Sequence, residues 1–141
     1  MTEVLIVGTE EAVLPGDLLA YETARTALAP YEIREPFANA VAVETISLGM
    51  AVSLLNDLDW YLSRVADAAL VREPSVHEDE WLTRALAEGI RDGAIDPEET
   101  GDRVLLYRVE DGRLRLDTEA TRPEGRQPWG EDTVVVRVTP A

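Results

Sequence analysis

The 141-residue chain contains no cysteine and no lysine, and it has one histidine and one phenylalanine. Without cysteine, disulfides and thiolate metal sites are excluded. Without lysine there is no phosphate-gripping P-loop, one imidazole is too few for a zinc cluster, and a lone Gly8 after an apolar run is not a dinucleotide fingerprint. Long apolar runs are missing too: Glu44, Asp57 and Asp59 interrupt the most hydrophobic stretch, and residues 1–20 lack the basic start of a signal peptide. The expectation is a soluble, cytoplasmic protein that does not engage a membrane and needs no cofactor.

What is abundant is negative charge. The formal net charge is −15, with 28 acids against 13 basic residues, all of them arginine. Self-repulsion on that scale destabilises a compact chain at low salt, and molar salt shortens the screening length to about 3 Å. The composition therefore reads as an adaptation to a salt-rich cytoplasm. It also argues against nucleic acid, because gripping phosphates takes clustered positive charge. The balance is uneven, −14 over residues 1–100 and −1 over 101–141.

Arg-Glu-Pro occurs twice, in YEIREP and ALVREP, with its arginines Arg34 and Arg72. Each copy ends a similar pattern. EVLIVG at 3–8 reads as a buried strand, Pro15-Gly16-Asp17 opens a helix that runs to Pro30, and YEIREP follows as a strand stopped by Pro36. The pattern then restarts: AVAVETISL at 40–48 alternates like a strand and Gly49 breaks it. Leu48, Ala51, Val52, Leu55, Leu58, Leu62 and Val65 form one helical stripe, and DAALVREP reads as a strand ended by Pro74. Two such βαβ units in tandem predict a ferredoxin-like antiparallel sheet over 1–74 with its helices on one face. The bland alternative is coincidence in an Arg- and Glu-rich chain, with Arg34 and Arg72 as cations beside carboxylates at strand ends.

Residues 75–141 extend that unit within one α+β domain of 1–141. Ser75 and Glu78 suggest a capping box, with Gly93 as the stop of a third helix that buries Leu82, Ala85, Leu86 and Ile90. Asp96-Pro97 marks a turn. A hairpin follows with Asp111-Gly112 as its two-residue turn, and TVVVRVT at 133–139 closes the chain as a strand.

Catalytic vocabulary is sparse. His77, placed among acids at the start of the third helix, reads as a surface residue, and Asp57 and Asp59 point in different directions on their helix. Trp60 lies off the apolar stripe, on a face with Asn56, Asp57 and Arg64, and such an aromatic needs a cover. The C-terminal part of the chain is the favoured cover, and a partner is the other. Trp81 flanks the third helix's stripe at the core edge. Trp129, in a Pro/Gly-rich loop, is a mobile anchor or tucks back. The hairpin turn sets Arg108 opposite Arg115 and Glu110 opposite Arg113, with Tyr107 facing Leu116 and Val109 facing Leu114 on the other side. The opposed arginines ask for an anion, a neighbouring carboxylate or simply high salt, and Arg137 joins them if the last strand pairs nearby.

Over VETISLGMAVSLLNDLDWYLSRVADAALVREPSVHEDEWLTRALAEGIRDG at 43–93, with its acidic, lysine-free composition, the chain resembles a family of small haloarchaeal proteins of unknown function. The resemblance implies the habitat and transfers no site residue. The leading expectation is a non-enzymatic module that binds a protein or another copy of itself through the Trp60 face, the Arg108, Arg113 and Arg115 hairpin or Trp129. A small-molecule sensor is the alternative, by fold analogy. An enzyme using carboxylates or hydroxyls comes third.

Overall fold

The computed structural model describes residues 1–122, Trp129 and 132–140. Its elements are β1 (Thr2–Gly8), α1 (Gly16–Leu19), α2 (Glu22–Leu28), β2 (Arg34–Phe37), β3 (Ala40–Thr45), α3 (Leu48–Val65) and β4 (Ala66–Arg72), followed by β5 (Trp81–Thr83), α4 (Arg84–Arg91), β6 (Arg103–Glu110), β7 (Arg113–Thr121) and β8 (Thr133–Arg137). The protein is α+β, and its described residues place eight strands in one sheet of order β2-β3-β1-β4-β5-β8-β6-β7. All neighbouring pairs are antiparallel except β5 with β8.

The first four strands stand in the order β2-β3-β1-β4, which is what two interleaved βαβ units require. Their side chains alternate between two buried faces. Val4, Ile6, Val41, Val43 and Val71 face the helices, where they meet Leu18, Leu28, the α3 stripe and Leu86. Leu5, Val7, Ala40, Ala42 and Leu70 face the other way and meet Tyr107, Leu114 and Val136. The sheet therefore curls, and the C-terminal strands cover the face that the helices leave open. Alternation of Ala and Val in β3 suits this: valines fill the helix side, and small alanines let the folded-back strands approach. Burial on both faces explains why EVLIVG reads as a continuous apolar run.

Several local expectations are corrected. The first helix is two, because Tyr21 is extended between them (φ −87°, ψ 125°) and sends its ring toward Trp60 and Tyr61. The second strand starts at Arg34 and continues past Pro36 to Phe37. Proline is tolerated there because β2 is the sheet's outer edge. Gly49 breaks nothing; it sits in the first turn of α3, which Ser47 caps by accepting from the Met50 N–H at 3.2 Å.

The third helix does not start at Ser75. His77 Nδ1 accepts the N–H groups of Asp79 and Glu80 at 3.0 Å each, which fixes a turn where the helix was expected. Trp81 to Thr83 then fill the gap between β4 and β8, and Thr83 Oγ1 caps α4 through the Leu86 N–H. Gly93 does end that helix, at φ +75°. The hairpin has the expected register: Val109 faces Leu114, Tyr107 faces Leu116, Arg108 faces Arg115 and Glu110 faces Arg113. Asp111 and Gly112 both have positive φ, as a tight hairpin turn demands.

Candidate functional site

Charged groups organise three places in the fold. At the first, Arg34 and Arg72 of the repeated tripeptide both reach one carboxylate, Glu3 in β1, which lies on the face opposite the helices. Arg34 Nη2 pairs with Glu3 Oε2, and Arg72 Nη2 meets Oε1 at 2.6 Å. Arg72 is also Glu3's direct neighbour across the β1–β4 ladder. The repeat thus has a structural use, two guanidiniums clamping the central strand.

The second place is Glu80, 2% exposed. Arg122 Nη2 donates to both of its oxygens at 2.7 Å, and Arg137 Nε donates to Oε1 at 2.8 Å. Arg137 also reaches Thr100 Oγ1, and Arg122 Nε reaches the Gly101 carbonyl. Burial pushes the Glu80 carboxyl up, but the hydrogen bonds of Arg122 and Arg137, with the charges of Arg122 and His77, outweigh it and hold it below its ordinary value. The knot ties the turn before β5 to the ends of β7 and β8. Arg137 therefore does not join the hairpin arginines, because β8 runs antiparallel to β6 and places it opposite Val104, at the far end.

The third place is a cleft of about 410 Å³ between the end of β1, the start of β4 and the β6–β7 hairpin. Val7, Leu114 and Leu116 supply apolar wall; Glu10, Asp67, Tyr107, Arg113 and Arg115 supply polar groups. Two irregularities in the ladders flank it. Val7 pairs with Ala68 and Gly8 with Ala66, so Asp67 is the extra residue of a bulge, and Asp117 is left over in the same way between Leu116 and Thr118. Bulges of this kind re-aim side chains and recur beside functional sites. Gly8 allows a close approach at the cleft's base: a Cβ there would sit 3.2 Å from Leu14 and 3.3 Å from the Asn39 carbonyl oxygen.

Within the cleft, Arg115 closes on Glu10 at 2.8 Å. Arg113 and Asp67 are different: among the described residues neither side chain joins an ion pair or a hydrogen bond. The Tyr107 hydroxyl also has no hydrogen-bond partner there. Burial and then the Asp67 charge raise the pKa of Tyr107.

The remaining sequence candidates are spread over other surfaces. Arg108 pairs with Asp117 at 2.8 Å, so the opposed arginines 108 and 115 are each answered by a carboxylate. Asn56 accepts from Arg84 at 2.8 Å, while Asp57 is exposed. Trp60 is not covered by the C-terminal strands. It remains 52% exposed, with Tyr21 edge-on at 5.6 Å and the Arg64 guanidinium 3.3 Å above its ring. The extension packs on the far side of the sheet, out of its reach. Trp129 packs on Val104, Leu106 and Val135, with Arg122 5.2 Å from its ring. Trp81, on strand β5 rather than on a helix, packs among the residues of the second core, with Arg72 5.4 Å from its ring.

Of this cleft, the sequence pointed to Arg113 and Arg115. It missed Asp67, Tyr107 and Asn39, because what brings them together is the curl of the sheet. No group of three or more possible metal ligands occurs among the described residues, and no helix among them is long and apolar enough to cross a membrane.

A family model, a family of unknown function designated DUF5804, matches residues 2–109. The chain belongs to this family. The matched region holds Glu10, Asn39, Asp67 and Tyr107 and stops before Arg113, so one wall of the cleft lies inside it and the facing strand β7 lies beyond it. Comparison with curated proteins and with solved structures finds no match.

Proposed function

We propose that the protein is a small-molecule-binding module whose site is the cleft between β1, β4 and the hairpin. The observation that carries this reading is the convergence, on one concave, partly apolar cleft, of an arginine, an aspartate and a tyrosine hydroxyl whose side chains have no partner among the described residues. Its volume of about 410 Å³ suits a metabolite. In the tandem βαβ frame the helices occupy one face, and the cleft forms where the extension folds over the other. Adaptation to a salt-rich cytoplasm, the habitat that the charge balance suggests, completes the proposal.

The test is saturation-transfer NMR in molar KCl against mixtures of small carboxylates, amines, amino acids and phosphates. Leu116, exposed on the cleft wall, is the site for a plug, Leu116→Trp. Binding of at least one class to the wild type, lost in the plugged variant, supports the reading. Equal behaviour of the two proteins overturns it.

A second reading, a module that docks a protein or another copy of itself, rests on the half-exposed ring of Trp60 with Tyr21 and Tyr61 beside it. Enzymatic use of carboxylates has less support: the buried carboxylates among the described residues, Glu3 and Glu80, are each held by two guanidiniums.

A further inference from the structure

We infer that the ligand of this cleft is a small zwitterion, with a carboxylate and an ammonium on one short apolar frame. The inference rests on the cleft reading above and narrows it to a chemical class.

The argument begins from how arginines are used. In a chain with more than twice as many acids as arginines, a guanidinium has carboxylates to spare. Arg115 in the same cleft takes Glu10, and Arg108 on the same strand pair takes Asp117. Arg113 takes nothing among the described residues, and Asp67 in the facing wall takes nothing either. Two opposite charges thus share one cleft without closing on each other, and the bulge at Asp67 sets its side chain apart from the regular ladder. A purely anionic ligand on Arg113 would lie in the same cleft as the Asp67 charge, and a purely cationic one would meet Arg113. Asp67 is exposed at the rim of the cleft, and like charges brought together there oppose binding. A molecule carrying both signs completes both groups.

The remaining lining fits the same class. The Tyr107 hydroxyl, without a hydrogen-bond partner among the described residues, offers a neutral hydrogen bond to either end of such a molecule. Val7, Leu114 and Leu116 offer an apolar wall for its frame. The volume, about 410 Å³, is near the small end of the range for ligand pockets, roughly 300–1,000 Å³.

The experiment uses three probes on the full chain in molar KCl: norleucine, hexanoate (the same frame without the ammonium) and pentylamine (without the carboxylate). Affinities are read by NMR titration on the wild type, Asp67→Asn and Arg113→Gln, with the amide spectrum of each variant confirming its fold. Norleucine is expected to bind the wild type at least about tenfold more tightly than either truncated probe. Asp67→Asn should weaken norleucine but not hexanoate, and Arg113→Gln should weaken norleucine but not pentylamine. Hexanoate or pentylamine matching norleucine on the wild type overturns the zwitterion and leaves the cleft as a site for a singly charged ligand. Failure of all three probes on the wild type also overturns it, while the cleft itself stands or falls with the Leu116→Trp comparison. Equal effects of both variants on all probes overturn the assignment of one charge to each residue.

Discussion

The side-chain amide of Asn39 donates to the Leu114 carbonyl and accepts from the Leu114 N–H, each at 2.8 Å. A side chain here does what a neighbouring strand would do, and it sits where the curled sheet brings the β2–β3 turn against β7. Both residues are buried, so Asn39→Ala leaves a donor and an acceptor unpaired, at about 1–3 kcal/mol each. The expected loss in urea unfolding at molar KCl is about 2–4 kcal/mol, allowing for partial solvation. Amide exchange at Leu114 should accelerate in the same variant. Wild-type protection at that amide would show the contact to be dispensable.

Glu80 gives a pH signature. Its folded pKa lies below its unfolded value, so its contribution to stability is complete above the unfolded-chain value of about 4.3 and is lost as pH falls through the lower folded one. In molar KCl, where general repulsion is screened, wild-type stability should fall below pH 4, roughly, more steeply than that of Glu80→Gln. Parallel curves would mean that the carboxylate is not held as described. Glu80→Ala, which leaves two guanidiniums without their anion, should cost about 3–5 kcal/mol near neutral pH.

Trp60 is half exposed, so Trp60→Ala removes edge contacts with Tyr21 and Tyr61 and the stacked Arg64 rather than a core side chain. The expected cost is about 1–2 kcal/mol, against about 3–5 for a buried aromatic. Unfolding and sedimentation measured on the same variant separate packing from assembly. A dimer that dissociates would favour the docking reading, and an unchanged mass would remove its main support.

The excess of carboxylates predicts a salt dependence. Thermal stability should climb steeply from low salt to molar KCl as the repulsion is screened. An unchanged midpoint would detach the composition from any saline habitat.

Much of the fold was legible because its signals are local. The α3 stripe, the Asp111-Gly112 turn with its register, and the strand-helix-strand pattern repeated over 3–74 depend on neighbours a few residues away. The misses share another cause. Glu80, last of three consecutive acids, matched the start of a helix, and what buries it are arginines 42 and 57 residues further on. Asp67 read as an ordinary polar residue at a strand start, because a bulge is a property of the pair β1–β4 and cannot be seen in β4 alone. Arg34 and Arg72 were noticed as a repeat, but their common target Glu3 becomes visible only once β1 of the first unit lies between β3 and β4 of the second.

The three-residue strand β5 is the narrow waist of the sheet. It meets β4 at two residue pairs, Leu70–Thr83 and Val71–Leu82, and β8 at two, Trp81–Val136 and Leu82–Arg137. Across the curl, the opposite seam is joined through Asn39 and the Ala38–Gly112 contact. The three strands β6 to β8 therefore have few backbone ties to the rest and are held by the Glu80 knot and by Tyr107, Leu114 and Val136 in the second core, and an element so joined is expected to open at lower free energy than the global fold. Opening here would part the walls of the cleft while the helix-covered core stays shut. A molecule seated between Asp67 and Arg113 spans that division, so its binding acts as a staple and should slow exchange in both units together.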